Sequence, residues 1–126
     1  LAGVNDWRDW YRDTGGSAWI KGRMGSPAEN EELYRRTAPI ERVDRIVRPL
    51  LVLHGTADVN VPFIESVRLV DALLKAGKDV EFMMYPGEFH YLWRAHVLRD
   101  AWQRAERFFR AHLRGPAPTP TSSASR

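Results

Sequence analysis

Two residues in this chain have the types and the placement to move a proton together, Asp58 and His90. Asp58 lies in the loop that follows Leu50-Leu51-Val52-Leu53, an apolar run without polar alternation, closed by His54-Gly55, that reads as a strand buried on both faces. Further on, Val80-Glu81-Phe82-Met83-Met84-Tyr85 reads as a second strand, and Pro86-Gly87-Glu88-Phe89-His90 is the loop that leaves it. Open α/β sheets carry their chemistry on loops at the carboxyl ends of strands. An acid followed along the chain by a histidine, each on such a loop, matches the second and third members of a hydrolase triad in the order Ser, Asp, His. In that chemistry the carboxylate fixes the imidazole tautomer, and the imidazole takes the proton of the attacking serine hydroxyl. Each residue alone has a plainer reading, Asp58 as a cap for the helix after Pro62 and His90 as a turn residue bonded to backbone. Their order on two successive strand ends favours the site.

The elements that must hold these loops follow from periodicity. Between the strands, Ile64, Val67, Val70 and Leu74 recur near helical spacing, so a helix is expected from Phe63 to Ala76 with Gly77 as its stop. Strand, helix and strand at this length form a right-handed crossover between parallel neighbours. A last helix, His96 to Leu113, carries a broad apolar stripe through Val97, Ala101, Trp102, Ala105, Phe108 and Phe109 that must lie against the sheet. The fold class is therefore α/β, with parallel strands covered by helices.

Upstream, Ser26-Pro27-Ala28-Glu29 reads as a capping box opening a helix from Pro27 to about Arg36, which Thr37-Ala38-Pro39 stops. Ser26 is thus a cap and not a nucleophile. Ile40 to Val47 suggests a further short helical turn, as does Ser17 to Arg23. Asn5 to Gly16 holds Trp7, Trp10 and Tyr11 among Asp and Arg. These rings either pack a short amphipathic helix on the core or wall a pocket. Leu1 to Val4 could close a buried strand.

Composition narrows the partners. The chain has 126 residues, 44% of them hydrophobic, which suits one domain with a real core. No apolar run is long enough to span a membrane. With 19 basic and 16 acidic residues the net charge is +3, and the basic residues are dispersed among acids, unlike a nucleic-acid surface. The absence of cysteine removes disulfides and thiolate chemistry. His54, Asp58, His90 and His96 lack the local spacing of a metal set, so neither metal nor cofactor is expected. The first residue is Leu1, so a processed or truncated piece is expected, and cellular location stays open. The Pro, Ser and Thr tail at 115–126 is expected to be disordered, because such a composition buries too little apolar area to offset its ordering entropy.

His54-Gly55-Thr56-Ala57-Asp58-Val59-Asn60-Val61-Pro62, with Tyr85-Pro86-Gly87-Glu88-Phe89-His90, resembles the end of the catalytic domain of the prolyl oligopeptidase family of serine peptidases, its dipeptidyl-peptidase IV-like branch above all. Met24-Gly25-Ser26-Pro27, Ala38-Pro39-Ile40 and Val43-Asp44 extend the resemblance over most of Trp7 to Leu113. It implies that residues 1–114 form the C-terminal fragment of an α/β-hydrolase fold acting on peptide substrates, with Asp58 as acid and His90 as base. It implies too that Asn60 helps hold a substrate carbonyl oxygen and that Val61 lines the pocket beside the scissile bond. Taken as ordinary loop residues, Asn60 would form a turn and Val61 would simply pack. His54 in this motif is a structural strand-end histidine.

Two departures stand out. Phe89 occupies a position where relatives often carry Gly or a small acid. No Gly-x-Ser-x-Gly occurs, so the nucleophile elbow and its oxyanion donors are missing. The expected partner is therefore an upstream part of the same protein carrying the serine. The 126 residues alone are expected to be inactive and prone to aggregate. Two alternatives remain open, an esterase or acyl hydrolase of the same fold, and a non-catalytic module whose apolar terminal helix binds a partner or a second copy.

Overall fold

The computed structural model describes residues 3–113. The tail at 115–126 lies outside the described residues, as do Leu1 and Ala2. Gly3 and Val4, read as the end of a strand, are in no strand here. A strand forms only against a neighbour, and none of the described residues pairs with them.

The centre is a parallel pair, β1 (Leu50–Gly55) and β2 (Val80–Tyr85), in register from Leu50 opposite Val80 to Gly55 opposite Tyr85. Between them runs α4 (Ile64–Lys75), and β2 is followed by α5 (Ala95–Leu113). Side chains alternate across a strand. Leu53 and Tyr85 therefore share one face and join Leu92 and the α5 residues Val97 and Ala101 in a buried cluster. His54 and Phe82 point the other way, where the Phe63 ring stacks on Phe82 and meets His54 edge-on. Tyr85 fastens α5 further, its hydroxyl donating to Asp100 at 2.9 Å. Burial and the neighbouring Asp100 carboxylate push that phenol up to about 12.

Gly77 ends α4 as expected. It takes a φ of +65°, and the amides of Gly77 and Lys78 return to the carbonyls of Leu74 and Leu73, the paired bonds of a Schellman stop. The amino-terminal half supplies α1 (Trp7–Thr14), α2 (Ala18–Met24), α3 (Glu31–Thr37) and a 3-10 segment, Pro39–Arg45.

One boundary differs from expectation. Ser26 and Glu29 make the reciprocal bonds of a capping box, yet they close only a single turn, and α3 begins at Glu31. Asn30 at φ −135°, ψ 42° breaks the helical path between them. The box satisfied its own turn and left the helix to start afresh.

Only β2 flanks β1 among the described residues. Between β1 and α5 lies an apolar groove of about 550 Å³, bounded by Leu50, Leu53, Leu92, Trp102 and Phe109. No described helix is long and apolar enough to cross a membrane.

Candidate active site

The register of β1 and β2 brings their carboxyl ends to one rim, and hydrogen bonds join the loops that leave them. Thr56 donates its amide to Tyr85 O at 3.0 Å, Ala57 to Glu88 O at 2.9 Å, and the Gly87 amide donates to Thr56 Oγ1 at 2.9 Å. Gly55 makes this approach possible, since a Cβ there would lie 2.3 Å from the backbone oxygen of Glu88. Any side chain would drive the loops apart.

Across this seam His90 Nδ1 stands 2.8 Å from Asp58 Oδ2. The Asp58 side chain is fully buried, whereas that of His90 is 27% exposed. Asp58 Oδ1 accepts the amides of Asn60 at 2.9 Å and Val61 at 2.8 Å, and His54 Nε2 lies 3.1 Å from Oδ2. These partners fill the acceptor capacity of a carboxylate. Burial pushes the Asp58 carboxyl up, but the bonds from Val61, His90 and Asn60 outweigh it and hold the group below its ordinary value. An ionised Asp58 requires the proton of His90 on Nδ1, which leaves Nε2 as the basic nitrogen. Nε2 has no hydrogen-bond partner among the described residues.

His54 turns out to be more than a strand-end spacer. Its Nε2 faces two acceptors, Asp58 Oδ2 and Val61 O at 3.0 Å, so Nε2 carries a proton. In the neutral ring Nδ1 then accepts from Ser66 Oγ, 2.7 Å away on α4. The strand-end place of His54 is legible in the sequence, but its bond to the acid and the role of Ser66 are not. The i, i+4 spacing of His54 and Asp58 around a tight turn was the available signal.

Two buried glutamates also escaped the sequence. Glu88 accepts the amides of Trp93 and Arg94 through Oε2, while Arg94 Nε stands 3.0 Å from Oε1 as an ion pair without hydrogen-bond alignment. This fixes the backbone beside His90. Glu65 Oε2 accepts the amides of Asn5 and Asp6, each at 3.1 Å, and so anchors the entry to α1. Burial holds the Glu65 carboxyl above its ordinary value despite those two amides.

Asn60 and Val61 part company. Asn60 is exposed, accepts Trp10 Nε1 on its backbone oxygen at 2.8 Å, and borders an open cleft of about 410 Å³ walled by Trp7, Trp10 and Trp19. Of the two alternatives the aromatic helix takes the cleft wall; none of its rings is buried in the core, and they meet one another, Trp19 and Tyr34 instead. Val61 does not reach that cleft. Its side chain is buried and its backbone serves Asp58 and His54, so Val59 is the residue that faces the opening. Among the described residues no group of three His, Asp or Glu converges as a metal site.

The family model described as the prolyl oligopeptidase family matches residues 1–116. Dipeptidyl peptidase 4 of Sus scrofa is 36% identical over 93 residues, covering 71% of this chain. Inactive dipeptidyl peptidase 10 of Rattus norvegicus is 31% identical over 77 residues, 60% of the chain. The chain spans only 12% and 10% of those relatives' own lengths. Among solved structures, a puromycin-hydrolyzing peptidase of Mycobacterium tuberculosis superposes with a TM-score of 0.82 at 25% identity, covering 93% of this chain and 19% of that one. The chain thus has the fold of a piece of an α/β-hydrolase peptidase domain and belongs to the prolyl oligopeptidase family, with relatives on its dipeptidyl-peptidase IV-like branch.

Proposed function

We propose that this chain supplies the acid and the base of a serine peptidase triad, and that the nucleophilic serine comes from an upstream part of the same, longer polypeptide. The observation that carries this reading is the 2.8 Å pairing of His90 Nδ1 with a buried Asp58 whose other acceptor sites are filled. That arrangement leaves the carboxylate able to hold one tautomer and stabilise the imidazolium, while Nε2, without a partner among the described residues, serves as the base. The open edge of β1 and the apolar groove beside it agree with a sheet that continues in the rest of the protein, since parallel strands are ordinarily covered on both faces and paired on both edges.

Hydrolysis in this reading runs in two halves. The serine oxygen attacks the peptide carbonyl as His90 Nε2 takes its proton. The C–N bond then breaks as the same proton passes to the departing amine. Water repeats the sequence on the acyl enzyme. The acyl half of the substrate takes the tryptophan-walled cleft, with the Asn60 side-chain amide as a neutral donor to a substrate carbonyl.

The test is peptide hydrolysis by the full-length protein, wild type against His90→Ala and Asp58→Asn. Each variant is expected to lose on the order of thousands-fold in kcat. The isolated 126-residue chain is expected to turn over nothing. Activity in the isolated chain, or retained activity in either full-length variant, would refute the assignment. A second reading, a non-catalytic module, is favoured by one observation, the similarity to a relative named inactive. Full-length wild type without turnover on peptides and esters would select it.

A further inference from the structure

Two clefts flank the Val59–Asn60 loop. The first is the tryptophan-walled one. The second, about 470 Å³, lies between that loop and the segment around His90, bordered by Phe89, His90, Tyr91 and Trp93. We propose that this second cleft receives the residue on the leaving side of the scissile bond, and that Phe89 and Trp93 make it selective for a bulky apolar side chain there. The proposal rests on the catalytic reading above.

The direction follows from the proton's route. The imidazole that took the serine proton hands it to the departing amine, so that nitrogen must lie at His90 Nε2, and the residue it belongs to must fill space that His90 borders. The first cleft does not touch His90. The groove along β1 touches His90 but not Asn60. Only the second cleft, among the described clefts, borders both.

Its chemistry selects the occupant. Phe89 is 56% exposed and Trp93 83% exposed, so their ring faces are available. The nearby cation is already engaged, with Arg94 bonded to Gly87 O at 3.3 Å and paired with the buried Glu88. The wall therefore offers apolar area and no free charge for a terminal carboxylate. It is also built on fixed backbone, because Glu88 holds the amides of Trp93 and Arg94 while its own carbonyl accepts Ala57 N. The Phe89 ring has no place in the core.

The experiment uses the full-length protein and two peptide series, Gly-Pro-X-amide and acetyl-Ala-X-amide, with X as Gly or Phe. The reading is the ratio of kcat/KM for X = Phe over X = Gly in whichever series is cleaved. Wild type is expected to favour Phe by ~10-fold, the discrimination that one apolar side chain in a fitting pocket supports. Phe89→Ala and Trp93→Ala should each carry the ratio toward one, chiefly through KM, and Trp93→Phe should restore most of it. A ratio near one in wild type, or a wild-type ratio kept in both alanine variants, overturns the proposal while leaving the catalytic reading intact. Equal loss on both peptides keeps the ratio and counts the same way, meaning that the rings pack against the rest of the protein. If wild type cleaves neither series, the catalytic reading fails first and takes this one with it.

Discussion

Asp58 Oδ2 is shared by two imidazoles that could hardly be more differently placed. His54 is 1% exposed on β1, with Nδ1 against Ser66 and Nε2 between Asp58 and Val61 O. His90 sits on the next loop with Nδ1 on the same carboxylate oxygen and Nε2 unpartnered among the described residues. The same ring at similar distances from the same oxygen thus has two uses, decided by what the far nitrogen meets. A ring satisfied at both ends is a strut. A ring satisfied at one end can accept a proton.

That contrast can be broken most severely by exchanging the losses. In the full-length protein, His90→Ala should abolish turnover by the thousands-fold already given while costing only about 1 kcal/mol of stability, for the one bond it takes from the buried Asp58 carboxylate. His54→Ala should do the reverse in emphasis. It empties a buried site and strips the imidazole from Ser66, Val61 O and Asp58, so a cost of about 2–4 kcal/mol is expected in chemical denaturation, with residual turnover well above that of His90→Ala. Equal stability losses in the two variants would erase the distinction.

Gly55→Ala tests whether the two imidazoles depend on one seam. The new methyl would meet Glu88 O at 2.3 Å, so the loops must part and His90 must drift from Asp58. Stability should fall by about 1–3 kcal/mol, in the range for overpacking, with kcat falling by orders of magnitude. A variant with wild-type kcat would mean that the loops are not coupled.

A milder change acts on the strut alone. Ser66→Ala removes the hydroxyl that His54 Nδ1 accepts, at a cost of ~1 kcal/mol, and should leave the pH dependence of turnover in place. The smallest effect concerns pH. Because the Asp58 carboxyl is held below its ordinary value, its stabilising contribution is fully present above about pH 4, its unfolded value, and is lost as pH falls through the depressed folded one. Melting temperature against pH should therefore slope less on the acid side in Asp58→Asn than in wild type. Parallel curves would contradict the shift.

Much of this is legible in the amino-acid order alone. The two parallel strands and the helices around them followed from runs and periods within ten or twenty residues. Asp58 and His90 followed from their places after strand ends. What escaped is nonlocal or was satisfied locally. Glu65 reads as a helix surface residue until Asn5 and Asp6 arrive from far upstream. The capping box at Ser26 was real, but Asn30 took the chain out of the helix before it could extend. Val61 has a side chain of the type that lines pockets, and only the turn made by Asp58 Oδ1 with the Asn60 and Val61 amides decides that it faces inward.

The close contact at Gly55 also limits how such a rim can be re-engineered. Thr56–Pro62 and Pro86–Arg94 trade hydrogen bonds with no spare width between them, so neither can be lengthened, shortened or grafted from a relative by itself. Anyone remodelling specificity here would have to transplant both segments as one cassette, glycine included.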